Sequence, residues 1–188
     1  MIGEMPSSRT KITIVKVKGG MRVEVVCLAE RPLGFFVHWL ATRSFMCPGI
    51  DCPACFAAVG NRWVGMLPVR YSVPHSEDTH VGVLELTAGT MERLRGLCQM
   101  EGIDTLAGLS CVATRRADRS SLLLEPARDG LVSAELKKVF PEWLLLDAMA
   151  TLYALPSCPK GMTRSEWEVT AIPKAKQLVR VALPRAVA

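Results

Sequence analysis

The sequence predicts a mainly β, α+β fold: a five-stranded barrel of the OB type with an inserted cysteine-rich loop and a C-terminal helical extension. Three observations predict it. Fourteen glycines and twelve prolines punctuate the 188 residues, which favours many short strands over a few long helices. Runs rich in β-branched and aromatic residues fill residues 1–130, with a single helical period among them. Helical periodicity then takes over in residues 131–188.

The elements follow in order. Lys11 to Val17 and Met21 to Leu28 are β-rich and flank Lys18-Gly19-Gly20, a hairpin signal because paired glycines accept the positive φ of tight turns. Gly34 to Leu40 is a third strand, Arg62 to Val73 a fourth and His80 to Leu86 a fifth. Thr87 to Glu101 reads as a helix. Thr87 or Thr90 caps its start, Met91, Leu94, Leu97 and Cys98 make its apolar stripe, and Gly102 ends it. Leu109 to Arg115 and Ser121 to Glu125 form a hairpin around the charged turn Arg116-Ala117-Asp118-Arg119. A helix ahead of the last two strands is the OB-fold plan, although a generic α+β sheet would satisfy the same order.

From Ser133 the character changes. Ser133 to Phe140 and Glu142 to Leu155 are helical, with Pro141 between them suited to a first turn. Thr163 to Val169 is a short helix opened by the capping-box spacing of Thr163 and Glu166. Lys174, Lys176, Arg180 and Arg185 make the end of the chain basic.

Composition bounds the function. Hydrophobic residues at 49% and charged residues at 22% are enough for a packed core. The formal charge of +5 suits an anionic partner without specifying one. Met1 to Arg9 lacks a signal-peptide core, and Trp143 to Leu155 is too short to span a bilayer. The expectation is a cytoplasmic protein with no membrane role.

Seven cysteines are unevenly spread. Cys27, Cys98, Cys111 and Cys158 are scattered and read as buried thiols; Cys47, Cys52 and Cys55 cluster and read as metal ligands. With His38 the spacing is His38-x8-Cys47-x4-Cys52-x2-Cys55, and Pro48-Gly49 and Pro53 supply the bends. Thiolate and imidazole groups satisfy tetrahedral Zn2+, and four protein ligands leave no open position for water, so the site is structural. His75 or His80 would replace His38 if the strand histidine were only a core residue. A redox Cys-x-x-Cys pair is a further alternative.

Around this loop aromatic and basic residues alternate. Trp39, Trp63 and Tyr71 are candidate base platforms, and Arg43, Arg62 and Arg70 candidate phosphate contacts. Strand alternation places Arg62, Met66 and Arg70 on one face and Trp63, Leu67 and Tyr71 on the other. Arg115, Arg116 and Arg119 form the densest basic turn.

With these residues in view, the chain resembles the zinc-containing single-stranded-DNA-binding proteins of phage replication systems. Their OB-fold carries a zinc subdomain held by one histidine and three cysteines, the last two cysteines two residues apart. His38, Cys47, Cys52 and Cys55 match that set in kind and order, over about Lys11 to Ala127. The resemblance implies single-stranded DNA (or RNA) as the partner and a role in replication, recombination or repair. The tail departs from that pattern: the family ends in an acidic recruiting segment, this chain in a helical pair and a basic stretch.

Catalysis finds no constellation to carry it. Lys18-Gly19-Gly20 lacks P-loop spacing, Glu77 and Asp78 are adjacent and point apart when extended, and Asp51 is a turn former. The expectation is therefore a non-enzyme with no small-molecule substrate. The competing reading is a zinc-stabilised protein–protein adaptor that meets its partners through the C-terminal extension.

Overall fold

The structure, a computed structural model, describes residues 13–72, 78–115, 122–131 and 140–183. It is a mixed, strand-rich fold. The strands are β1 (Thr13–Ile14), β2 (Arg22–Cys27), β3 (Leu33–Leu40), β4 (Arg43–Met46), β5 (Asn61–Ser72), β6 (Thr79–Thr87), β7 (Leu109–Arg115) and β8 (Leu122–Leu131). The helices are α1 (Pro53–Phe56), α2 (Ala88–Glu101), α3 (Glu142–Tyr153) and α4 (Arg164–Ala182).

All eight strands join one sheet, in the order β1-β6-β5-β2-β7-β8, with β3 and β4 branching from β5. The branch exists because β5 is long enough for two partners. Its first half pairs with β3 (Leu33↔Met66 to His38↔Asn61) and its second half with β2 (Glu24↔Ser72 to Cys27↔Val69). Both pairings are antiparallel, and β6 runs along the other edge of β5.

Two expectations change here. The glycine pair does not close a hairpin: Gly20 turns the chain at φ +79°, but β1 pairs parallel with β6 (Thr13↔Gly82, Ile14↔Val83). The five-stranded barrel is also not closed among the described residues. The path β6-β5-β2-β7-β8 has no ladder from β6 to β8. The free edge of β6, which a closing strand would need, is taken by β1 and by the bond from Val15 N–H to Val83 O (2.8 Å). Helix α2 covers the opening instead, packing on β5, β6 and β8. Its Leu94, Leu97 and Cys98 join Val25, Leu67, Val69, Leu86, Leu109 and Leu124 in the main core. Its ends are those expected, with the Thr87 hydroxyl accepting from Thr90 N–H and Gly102 in the left-handed region.

The opposite face of the sheet is covered as well. Leu33, Phe35 and Val37 of β3, Val64 and Met66 of β5 and Val83 of β6 form a second core with α3 and α4. Trp167 of α4 is buried there, its indole N–H donating to Pro156 O at 2.9 Å. The short helix expected over Thr163 to Val169 begins with the expected capping box but continues through Pro173 to Ala182. An interior proline costs roughly 3 kcal/mol. The buried row Trp167, Ala171, Ala175, Val179 and Ala182 outweighs it by packing one helix face against two cores. The basic stretch from Lys174 is thus largely helix. The helix expected over Ser133 to Phe140 lies outside the described residues except for Phe140. No described helix is long and apolar enough to cross a membrane.

Candidate metal centre

The site is assembled by β3, β4 and the loop that follows. Ala41, at φ +54°, turns the chain between β3 and β4, a hairpin the sequence did not announce because alanine is no turn signal. The hairpin sets His38 opposite both Phe45 and Asn61, so its ring stands on the face from which the loop departs. Gly49 and Asp51 then adopt positive φ, a conformation glycine accepts without strain, and carry the chain to Cys52. Cys52 caps α1, Pro53 fits its first turn, and Phe56 N–H bonds back to Cys52 O at 3.1 Å. This single turn presents Cys52 and Cys55 from the same side.

The four ligand atoms of His38, Cys47, Cys52 and Cys55 all lie within 4.8 Å of one another. His38 Nε2 is 3.3 Å from Cys52 Sγ and 3.5 Å from Cys55 Sγ, and the Cys47 and Cys55 sulfurs are 3.8 Å apart. A tetrahedral zinc with bonds of about 2.3 Å to sulfur and 2.0–2.1 Å to nitrogen sets edges of about 3.6–3.8 Å. These three separations lie within about 0.3 Å of those edges, and all six pairs fall within 4.8 Å, so a small adjustment would seat such an ion. The imidazole is also oriented for it: Nδ1–H donates to Gly60 O at 3.1 Å, which leaves the Nε2 lone pair facing the sulfurs. Asn61 Nδ2 points at Cys55 Sγ from 3.9 Å.

Electrostatics favour a cation. Burial, helped by the neighbouring Cys52 and Cys55 and opposed by a hydrogen bond from the Gly49 backbone, pushes the Cys47 thiol up to about 12. A divalent ion would reverse that shift by pairing with the thiolate. The remaining four cysteines are buried, as expected of scattered thiols. Cys27, Cys98 and Cys111 sit in the main core and Cys158 in the second.

The candidate nucleic-acid residues divide between two faces. Directly paired residues share a face, so Val37↔Arg62 and Trp39↔Ser44 put Trp39 and Arg62 together, with Arg70 further along β5. The Arg62 guanidinium reaches Ser44 Oγ at 3.5 Å and Glu85 Oε1 at 3.9 Å. Trp39 is 60% exposed. Trp63 and Tyr71 point to the other side, where both are partly buried against the main core, and Tyr71 rests beside His80 with ring centroids 5.5 Å apart. Arg43 lies over the Phe45 ring at 4.6 Å. Arg115 ends β7; Arg116 and Arg119 lie outside the described residues, as does His75.

Sequence reasoning did not single out Phe36 among the loop's aromatics and missed how Trp63 is packed. Phe36 sits directly across from Trp63 on the metal face and is 51% exposed. The Trp63 indole lies flat over the cross-strand pair Gly34↔Gly65, where a Cβ would come within 2.6 and 2.3 Å of it. The register that brings these residues together has no local sequence signal, although two glycines inside strands are a hint of close approach. Comparison of the chain with known protein families, curated proteins and solved structures finds no match to any of them.

Proposed function

We propose that the protein binds single-stranded nucleic acid, DNA being the first candidate, in replication, recombination or repair, and that a structural zinc ion held by His38, Cys47, Cys52 and Cys55 orders the hairpin that carries the binding surface. The observation that carries this reading is Trp39. It stands 60% exposed at the end of β3 on the face that also carries Arg62 and Arg70, on the hairpin that positions the metal ligands. An exposed indole beside guanidinium groups offers a base a stacking face and its phosphate a counter-charge, and each stacked base contributes about 1–3 kcal/mol. Phe36 lies on the opposite face of β3, with the metal ligands, and is not part of that surface. The strand path supports an opened version of the five-stranded OB plan: β2, β5 and β6 come first, α2 follows, and β7 and β8 complete it. The net charge of +5 agrees with a polyanionic partner.

A second reading has its own observation. Ile50 and Phe56, on the metal loop, are 87% and 78% exposed, and apolar tips of that kind suit a protein partner. Titration of a fluorescent oligonucleotide at two salt concentrations separates the two. A binder loses affinity linearly in log salt, and Trp39→Ala weakens it by about 5- to 150-fold, one stacking contact. Negligible binding at low salt would favour the adaptor.

A further inference from the structure

The C-terminal helix ends on the metal loop. The first half of α4 packs into the sheet through Trp167, Ala171 and Ala175. Toward its C-terminus, Val179 and Ala182 form a third, separate core with Leu40 of β3, Phe45 of β4, Cys52 and Ala54. Ala54 lies between Cys52 and Cys55 in sequence and is completely buried, as is Val179. The Lys176 ammonium reaches Asp51 Oδ2 at 3.7 Å on the outside of the same contact.

We propose that Val179 and Ala182 are positioning residues of the metal centre: docking of the last turns of α4 presets the loop for the ion, and the ion in turn locks the helix. The physical basis is the small set of anchors holding the loop. A single helical turn is not self-supporting, and the knuckle otherwise rests on bonds such as Val59 N–H to Ala54 O (2.9 Å) and Cys47 N–H to Phe36 O (2.8 Å). With the helix withdrawn, Ala54 and Cys52 lose their cover, and the sulfurs must be ordered at the moment of metal binding. Supporting groups of this kind govern metal affinity by about 10- to 100-fold. Linkage requires the converse effect, of equal size, on helix docking.

The test is competition for Zn2+ against a chromogenic chelator, with Val179→Asp set beside Val169→Asp, an exposed site on the same helix. Val179→Asp should bind zinc about 10- to 100-fold more weakly while Val169→Asp matches the parent. A Val179→Asp affinity within twofold of the parent overturns the proposal. Amide hydrogen exchange on the unmodified chain, with zinc and after its removal, needs no variant and covers the case in which Val179→Asp fails to fold. Amides of Val179 to Ala182 should exchange about tenfold or more faster without metal, while those of Leu94 to Cys98 in α2 hold steady. Equal loosening of both helices, or of neither, would defeat the linkage. A parent chain that takes up no zinc would remove the metal centre itself, a separate failure.

Discussion

Replacing Gly65 by alanine tests the packing beneath Trp63. The new Cβ would stand 2.3 Å from the far edge of the indole, where ordinary contact begins at 3.4 Å. The ring must therefore retreat by about 1 Å, and because it is a rigid bicycle it lifts as one body off Gly34 as well. Overpacking of this size costs about 1–3 kcal/mol, read as a lowered urea midpoint with unchanged slope. Two further variants isolate the cause. Gly34→Ala alone meets the indole nitrogen at 2.6 Å, and the double glycine variant should cost less than the two singles together, since one retreat relieves both contacts. In a Trp63→Ala background the clash has no partner, so Gly65→Ala should be neutral or stabilising by about 0.5–1 kcal/mol, the ordinary gain over glycine in a strand. A Gly65→Ala variant as stable as the parent, or equally destabilised with and without Trp63, would refute the steric account.

Other consequences are equally direct. Titration with Co2+ should develop thiolate charge-transfer absorption that His38→Ala and Cys52→Ala weaken and that Cys98→Ala and His80→Ala leave intact; absorption unaffected by Cys52→Ala would mean the ion sits elsewhere. Thr163→Ala removes the N-cap of α4 and should lower stability by about 1 kcal/mol in denaturant. Hydrogen bonds from the Thr163 backbone and then its hydroxyl hold the Glu166 carboxyl below its ordinary range. That contribution is present above the unfolded carboxyl's pKa and fades as pH falls through the lower folded value. The gap between parent and Thr163→Ala should therefore narrow in acid, and a constant gap from neutral pH downward would speak against the capping box. Trp167→Ala, which empties the largest fully buried side chain, should cost about 3–5 kcal/mol; a smaller loss would mean that α4 is only loosely seated.

The cysteine cluster was legible because its geometry is local: two cysteines three positions apart, flanked by proline and glycine, specify most of it by themselves. His38 was legible only as the base of the loop, and its tautomer depends on Gly60, which nothing in the spacing indicates. Most strands were found from composition, since Val, Ile and aromatic runs between turn residues need no partner to be seen. Pairing was not. Gly19-Gly20 gave the local signature of a hairpin, yet β1 found its partner in β6, because the edge of β6 offers a longer-range match that no window of sequence contains. Pro173 shows the converse, a local breaker overruled by a buried face that runs past it. The nucleic-acid candidates on β5 had the right alternation, but whether Trp63 is wet or packed was decided by Gly34, on another strand.

Because β5 is sandwiched between α2 on one side and α3 with α4 on the other, its residues Val64 to Val69 are buried at every position, odd and even alike. A saturation library across this strand should therefore show an unbroken band of intolerance six residues wide where a half-wet strand would show stripes. Anyone re-engineering this scaffold should treat the central strand as a fixed spine and confine changes to exposed hairpin positions such as Phe36, Trp39 and Arg43.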